Sequence, residues 1–239
     1  MTLHWAARAA LGGALLGGSW AALHRAEVQR ADVRMGDAVR HFGGPALDSA
    51  VRHTTDLGSV YSVLGVATTL ALTGRRRLAT DVAGVGMVAW NLAQVSKTRV
   101  RRQRPYERDG VRRLIRKPTG SSFPSGHAAV GMAMFTLLGD ASRGGVSRRL
   151  LHAFGAYVAL SRIYVGVHYP TDVLGGAGMG LVAASLWRGP VAAINAAAVG
   201  AATAVGRRVL PPLLAIVGRV VFGMRRRQRP APGAEAPAA

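Results

Sequence analysis

Six stretches of this chain are almost free of charge, and arginine clusters or glycine and proline separate them. They run from Trp5 to Leu23, Leu57 to Leu72, Ala79 to Val95, Ala128 to Leu138, Leu150 to Val165 and Val173 to Trp187. Most are slightly short of the ~20 residues that cross a hydrocarbon core upright. Their many glycines and alanines favour close helix contact, the packing mode of membrane helices. The composition agrees: the chain is 49% hydrophobic, with a mean hydropathy of +0.20 despite a formal net charge of +20. A small polytopic membrane protein with its charges confined to loops has this mixture; a soluble globule seldom does. The expected fold is therefore all-α, a polytopic membrane helical bundle with about six transmembrane helices.

A strongly basic chain can also bind nucleic acid. Here the arginines fall between apolar runs instead of along one amphipathic face, so the bilayer is the expected partner and nucleic acid is not. Cysteine is absent, which removes disulfide and thiolate chemistry. The first run reads as a membrane helix in preference to a signal peptide, because it has no strongly basic lead-in. Residues 24–56 alternate in charge through Arg25, Glu27, Arg30, Asp32, Arg34, Asp37 and Arg40, the pattern of an amphipathic segment on a membrane surface. The organisation expected is thus an N-terminal helix and interfacial segment over 1–56 and a membrane core over 57–190. Apolar C-terminal helices over 191–224 and a disordered basic, Pro/Ala-rich tail over 225–239 follow.

Three polar clusters interrupt this frame. The loop from Ser96 to Ser125 carries ten bases against Glu107 and Asp109. For most of these bases, contact with anionic headgroups is the expected role. Lys97 and Arg104 differ because seven residues is two helical turns, which puts both on one face if the helix continues past the membrane surface. Pro105 would end it. In the second cluster, Ser125-Gly126-His127 opens the fourth run. A glycine at a helix N-terminus lets backbone N–H groups approach an anion, and the Ser125 hydroxyl is either a further donor or an ordinary N-cap. In the third, Arg162 lies inside an apolar run, where an unpaired cation is costly and marks a functional position. His168 and Asp172 are four apart, so one helical turn can join them, and a carboxylate on one ring nitrogen leaves the other free as a nucleophile. Pro170 suits a first helical turn, with Thr171 as a possible cap.

Together these clusters read Lys97-x6-Arg104-Pro105, Pro124-Ser125-Gly126-His127 and Ser161-Arg162-x5-His168-x3-Asp172. The pattern resembles that of the type 2 phosphatidic acid phosphatase (PAP2) superfamily at every specified position, over about residues 57–187. The resemblance implies a six-helix membrane phosphatase without metal or other cofactor, whose site is shared with vanadium-dependent haloperoxidases. It implies His168 as nucleophile, His127 as general acid and Asp172 as the group orienting His168. Lys97, Arg104, Ser125, Gly126 and Arg162 would bind phosphate. His4, His24, His41, His53 and His152 have no such partners in the pattern.

Attack on phosphorus spreads charge over three equatorial oxygens, and three cations with the Ser125–Gly126 turn can meet them. The function expected is hydrolysis of a terminal phosphate monoester or pyrophosphate on a lipid, of the phosphatidate, phosphatidylglycerol phosphate or polyprenyl type, through a phosphohistidine. A vanadate-dependent oxidoreductase and a non-catalytic basic protein that binds anionic lipid are the alternatives. The first is disfavoured by the short chain, the second by the His127, His168 and Asp172 spacings. Headgroup selection is expected from Tyr106, Arg112 and Arg116. Short basic connections at Arg75–Arg77, Arg143, Arg148–Arg149 and Arg188 place the catalytic loops on the extracytoplasmic face of a bacterial plasma membrane.

Overall fold

Helices form where the apolar runs lack proline, and within the described helices proline stands only at a first turn. In the computed structural model the chain builds α1 (Thr2–Ala22), α2 (Ala26–His41), α3 (Pro45–Thr54), a 3-10 turn (Thr55–Gly58), α4 (Val60–Leu72), α5 (Arg76–Arg99), α6 (Pro105–Arg108), α7 (Gly126–Ala141), α8 (Gly145–Tyr164) and α9 (Pro170–Leu186). The structure describes residues 2–188 and, beyond them, 208, 209 and 212. The expected helices of 191–224, apart from those three residues, and the tail of 225–239 lie outside it. The described fold is all-helical, as the sequence implies. Pro45, Pro105 and Pro170 each open a helix, where the missing N–H costs nothing.

Helix α7 is the axis. Ala128, Ala129, Val130, Ala133, Met134 and Leu137 are all buried, because α5, α8 and α9 pack around it. Val82, Val85 and Ala89 of α5, Val158 of α8 and Met179 and Ala183 of α9 close this core. Helix α1 lies antiparallel along α9. A β-carbon at Gly178 would meet the Gly12 carbonyl oxygen at 2.5 Å, so only the bare backbone permits the contact.

Polar links tie the end of the bundle that carries the short connections. Arg8 of α1 holds Asp140 of α7 through both Nη atoms (3.0 and 2.8 Å) and Ser185 of α9 through Nε (3.1 Å). Trp187 donates to Asp81 (3.1 Å). Six helices, α1, α4, α5, α7, α8 and α9, run between that end and the opposite one, where the three sequence clusters gather. No single described helix is both long and apolar enough to cross a membrane. The pair Pro45–Gly58 and Val60–Leu72, bent by 70°, passes that test together.

Helices α2 and α3 do more than lie on a surface. Asp32 of α2 is buried and reaches the loop around α9, while Thr55 and Asp56 follow directly on α3. The alternating charge of 24–56 therefore includes a buried carboxylate, Asp32, and an exposed one, Asp56, that contacts His127 and Arg162.

Candidate active site

Helix α5 stops at Arg99, and the anticipated two-turn extension from Lys97 to Arg104 does not form. Pro105 disfavours helical backbone at the preceding residue, and Arg104 is extended (φ −86°, ψ 158°). Ser121 fixes the segment: its hydroxyl donates to the Val100 carbonyl and accepts from the Arg102 N–H. Arg104 thereby turns inward and is fully buried. Its five N–H groups are all committed. Nε donates to Gly120 O (3.1 Å), Nη2 to Thr119 O and Ser121 O (3.1 and 3.2 Å), and Nη1 to Val167 O (3.0 Å) and His168 Nε2 (3.2 Å). It clamps the two catalytic loops together, and one N–H alone, that on His168, can turn toward an incoming phosphate.

His168 precedes α9 instead of lying on it. After α8 the chain reverses at Gly166 (φ +76°), and the Arg162 carbonyl accepts both Val167 N–H and His168 N–H at 3.3 Å. Asp172 is the third residue of α9. Its Oδ2 accepts the Tyr169 N–H (2.8 Å) and the Ser122 hydroxyl, and its Oδ1 accepts Arg102 Nη1 (2.6 Å). With three donors already on the carboxylate, His168 Nδ1 stands 3.6 Å from Oδ2 and makes no hydrogen bond. The expected His–Asp hydrogen bond is therefore a close facing pair. Thr171 does not cap α9; Tyr169 occupies the cap position, and the Thr171 hydroxyl donates to Asp32 (2.6 Å).

This geometry fixes the histidine's state. Because arginine only donates, Nε2 accepts and carries the lone pair, and the ring proton resides on Nδ1 facing Asp172. Burial, with the Arg104 and Arg162 cations adding to it, pulls the His168 pKa down to about 3 against the opposing effect of Asp172. The ring is neutral at physiological pH.

Around it stand cations with donors to spare. Arg162 is buried; its Nη1 donates to Thr55 Oγ1 (2.7 Å), and its Nε has no partner. Lys97 is within electrostatic reach of Arg104, Arg162 and Asp172 and takes part in no hydrogen bond or ion pair among the described residues. Ser125 caps α7 by accepting the Ala128 N–H (3.4 Å), which is its N-cap reading. A β-carbon on Gly126 would lie 3.7 Å from Lys97 Nζ, which puts that helix start directly before the ammonium. His127 donates from Nε2 to Asp56 Oδ1 (3.3 Å). His127, Arg162, Asp56, Arg52, Arg116 and Lys117 line a cavity of about 590 Å³.

All eight residues singled out in the sequence lie at this end of the bundle. The sequence reading missed Arg102, Ser122, Asp32, Thr55 and Asp56, which hold Asp172, Arg162 and His127. Only one signal pointed to them: acidic residues are scarce here, 11 against 31 bases, so each inward carboxylate has cations to answer. Tyr106, expected at the headgroup, lies under the cations of Arg113 and Lys117. His152, set aside in the sequence, sits near Asp140 at the other end.

Comparison with known proteins meets this geometry. The family model described as PAP2 superfamily matches residues 77–192. The decaprenylphosphoryl-5-phosphoribose phosphatase of Mycolicibacterium smegmatis is 35% identical over 127 residues, 53% of this chain and 68% of the relative. The chain belongs to the PAP2 superfamily. The Mycobacterium tuberculosis protein of the same name is 40% identical over 107 residues, 44% of this chain; this chain spans 58% of that relative's length. A transmembrane PAP2 type phosphatidylglycerolphosphate phosphatase from Bacillus subtilis has the same fold, with a TM-score of 0.65 at 24% identity over 76% of this chain and 94% of its own. The PAP2 match begins at residue 77, so Asp32, Thr55 and Asp56 are contributed from outside it.

Proposed function

We propose that this PAP2 chain is an integral membrane phosphatase, spanning the bilayer with six helices, that removes a terminal phosphate or pyrophosphate group from a lipid. The observation that carries the reading is the pairing of a neutral, lone-pair-bearing His168 Nε2 with two unsatisfied cations, Lys97 and the Nε side of Arg162. Arg162 meets a carboxylate only at a distance, Asp56 at 3.9 Å. Its buried Nε and the half-buried Lys97 ammonium have no partner among the described residues, and a phosphate at Nε2 would satisfy both. The relatives named as phosphatases of decaprenylphosphoryl-5-phosphoribose favour a polyprenyl-linked substrate within this class.

In the first step the Nε2 lone pair forms a bond to phosphorus and the P–O ester bond breaks. The leaving oxygen takes that electron pair and a proton from His127, which Asp56 orients. Burial and the Arg162 cation hold the His127 pKa down to about 4 in the free chain, and the phosphate anion bound beside it favours the protonated form this step uses. Lys97, Arg162 and the N–H groups opening α7 meet the three equatorial oxygens as charge builds on them. The Arg104 N–H released from Nε2 turns to the same oxygens. In the second step His127, now neutral, takes a proton from water, the hydroxide oxygen bonds to phosphorus, and the N–P bond returns its electrons to Nε2. Asp172, held by Arg102 and Ser122, keeps the Nδ1 proton in place throughout.

Phosphate release from a panel of purified lipid phosphates in detergent tests this reading. Release that depends on His168, lost in His168→Ala, supports it. A panel with no turnover, or turnover unaffected by that substitution, overturns it. No observation favours the oxidoreductase alternative.

A further inference from the structure

Asp32 has no part in the mechanism above, yet its carboxylate is buried and both residues it binds adjoin Asp172. Its Oδ1 accepts the Thr171 N–H (2.9 Å), and its Oδ2 accepts the Thr171 hydroxyl and Arg102 Nη2 (both 2.6 Å). The Thr171 hydroxyl has one proton and gives it to Asp32, so it receives Arg102 Nη1 as an acceptor (2.7 Å). Asp32, Thr171 and Arg102 thus close a ring of hydrogen bonds against the first turn of α9.

Helix α2 delivers Asp32 to that ring with one face. Asp32 and Gly36 are buried on it, and Val39 packs against the cluster of Ala128, Ala159, Ile163 and Val173. Helix α9 begins at Pro170, and the next N–H, that of Thr171, has no partner within the helix; Asp32 takes it from a different one. Arg102 is the link to the reaction. A guanidinium offers a fork of N–H groups that fits both oxygens of one carboxylate. Here the fork is split: Nη2 goes to Asp32, and only Nη1 reaches Asp172, at Oδ1 (2.6 Å). Oδ2 of Asp172 already accepts the Tyr169 N–H and the Ser122 hydroxyl, and it is the oxygen that faces His168 Nδ1. A further N–H from Arg102 on Oδ2 would draw its charge away from the imidazole proton.

We infer that Asp32 is a positioning residue: by splitting the Arg102 fork and holding the first turn of α9, it reserves Asp172 Oδ2 for the His168 ring. The inference rests on the catalytic reading. It gives α2, which lies outside the stretch matched by the PAP2 family model, a share in orienting the nucleophile.

Turnover of phosphatidate, phosphatidylglycerol phosphate and a polyprenyl phosphate is measured on the full chain in detergent, with kcat taken per monodisperse molecule. Asp32→Asn keeps the side chain's shape but removes the charge that holds Nη2. It should lower kcat about tenfold, the scale of one charge-assisted contact, with KM little changed because the phosphate contacts are untouched. Asp37→Asn, on the exposed side of the same helix, should leave kcat as it is. The discriminating background is Arg102→Lys, whose ammonium has no fork to misplace. There Asp32→Asn should cost less than about threefold in kcat, because the two positions act as one unit. Should Asp32→Asn fail to yield monodisperse protein, Thr171→Val opens the same ring, and the same difference between the two backgrounds is expected of it. An equal loss in both backgrounds, or a loss carried in KM, reduces Asp32 to a structural tie. An unimpaired Asp32→Asn removes the role and leaves the catalytic reading standing. No phosphate release by the unmodified chain overturns that reading, and the role of Asp32 with it.

Discussion

Arg102 lies 2.6 Å from the carboxylate of Asp172, a full ångström closer than His168, the residue that carboxylate faces. The same guanidinium holds Asp32 at 2.6 Å and stacks over the Tyr169 ring at 4.2 Å. Arg102 is thus a positioning residue: it fixes the carboxylate that keeps the His168 proton on Nδ1. Arg102→Ala should lower kcat on the order of 100-fold, about 2.7 kcal/mol, with little change in KM. Arg102→Lys should recover part of the loss. A variant that folds in lower yield but turns over normally per folded molecule would reduce Arg102 to a structural tie.

The fold and the site were not equally legible. The alternation of apolar runs with basic links gives the helices, because backbone satisfaction inside a bilayer leaves few alternatives. The eight motif positions came from spacing together with the resemblance to the PAP2 pattern. Spacing failed where it assumed helix: Lys97 and Arg104 are not on one face, since Pro105 extends the chain before it, and His168 and Asp172 meet across a helix start. Asp32, Asp56 and Arg102 were hidden for another reason. Each acts on a residue far away in the chain, and an isolated carboxylate in an amphipathic stretch carries no sign of its partner.

The Asp56–His127 contact leads to a leaving-group test. General acid catalysis typically contributes roughly 10²–10⁴-fold, and it matters least when the leaving group needs no proton. His127→Ala should therefore cut turnover of a lipid phosphate by that order and of p-nitrophenyl phosphate far less. Asp56→Asn should show the same substrate dependence at smaller amplitude. His168→Ala should abolish both. Equal losses on the two substrates in His127→Ala would remove its assignment as the acid.

Burial of His168 also couples folding to pH. Its pKa is about 3 in the folded chain against 6.5 for an unburied histidine. Between those values the unfolded chain binds the extra proton, so stability rises with pH across the window and is complete above about 6.5. It is lost as pH falls toward 3. In detergent, His168→Asn should lose less thermal stability than the unmodified chain between pH 6.5 and about pH 4. Parallel curves for the two proteins would mean that His168 is not buried neutral.

In the proposed mechanism, charge compensation at the phosphate comes from Lys97, Arg162 and the one releasable N–H of Arg104. Hydrolysis should accordingly persist in excess EDTA, and vanadate, which adopts five-coordinate geometry, should inhibit it. Lys97→Ala and Arg162→Ala should each weaken vanadate inhibition at least about tenfold, the scale of one lost charge-assisted contact. Activity that falls in EDTA and returns with Mg²⁺ would overturn the metal-free mechanism.

The last prediction concerns the side of the membrane. The loop from Ser96 to Ser125 is the most basic in the chain, yet its charge is a poor guide to orientation because Arg102 and Arg104 are committed inside the site. The connections at the other end of the bundle have no such duty. There α4 joins α5 through Arg75 to Arg77, α7 joins α8 near Arg143, Arg148 and Arg149, and Arg188 follows α9. Positive residues in short links are retained in the cytoplasm, so the site should open on the extracytoplasmic side. The chain has no native cysteine, so single substitutions report cleanly. Gln103→Cys, exposed beside the site, should react with a membrane-impermeant maleimide in intact cells. Ser147→Cys, exposed at the first turn of α8, should react only after permeabilisation. The reverse pattern would put the site in the cytoplasm, where its substrate would have to be a lipid phosphate presented on the inner leaflet.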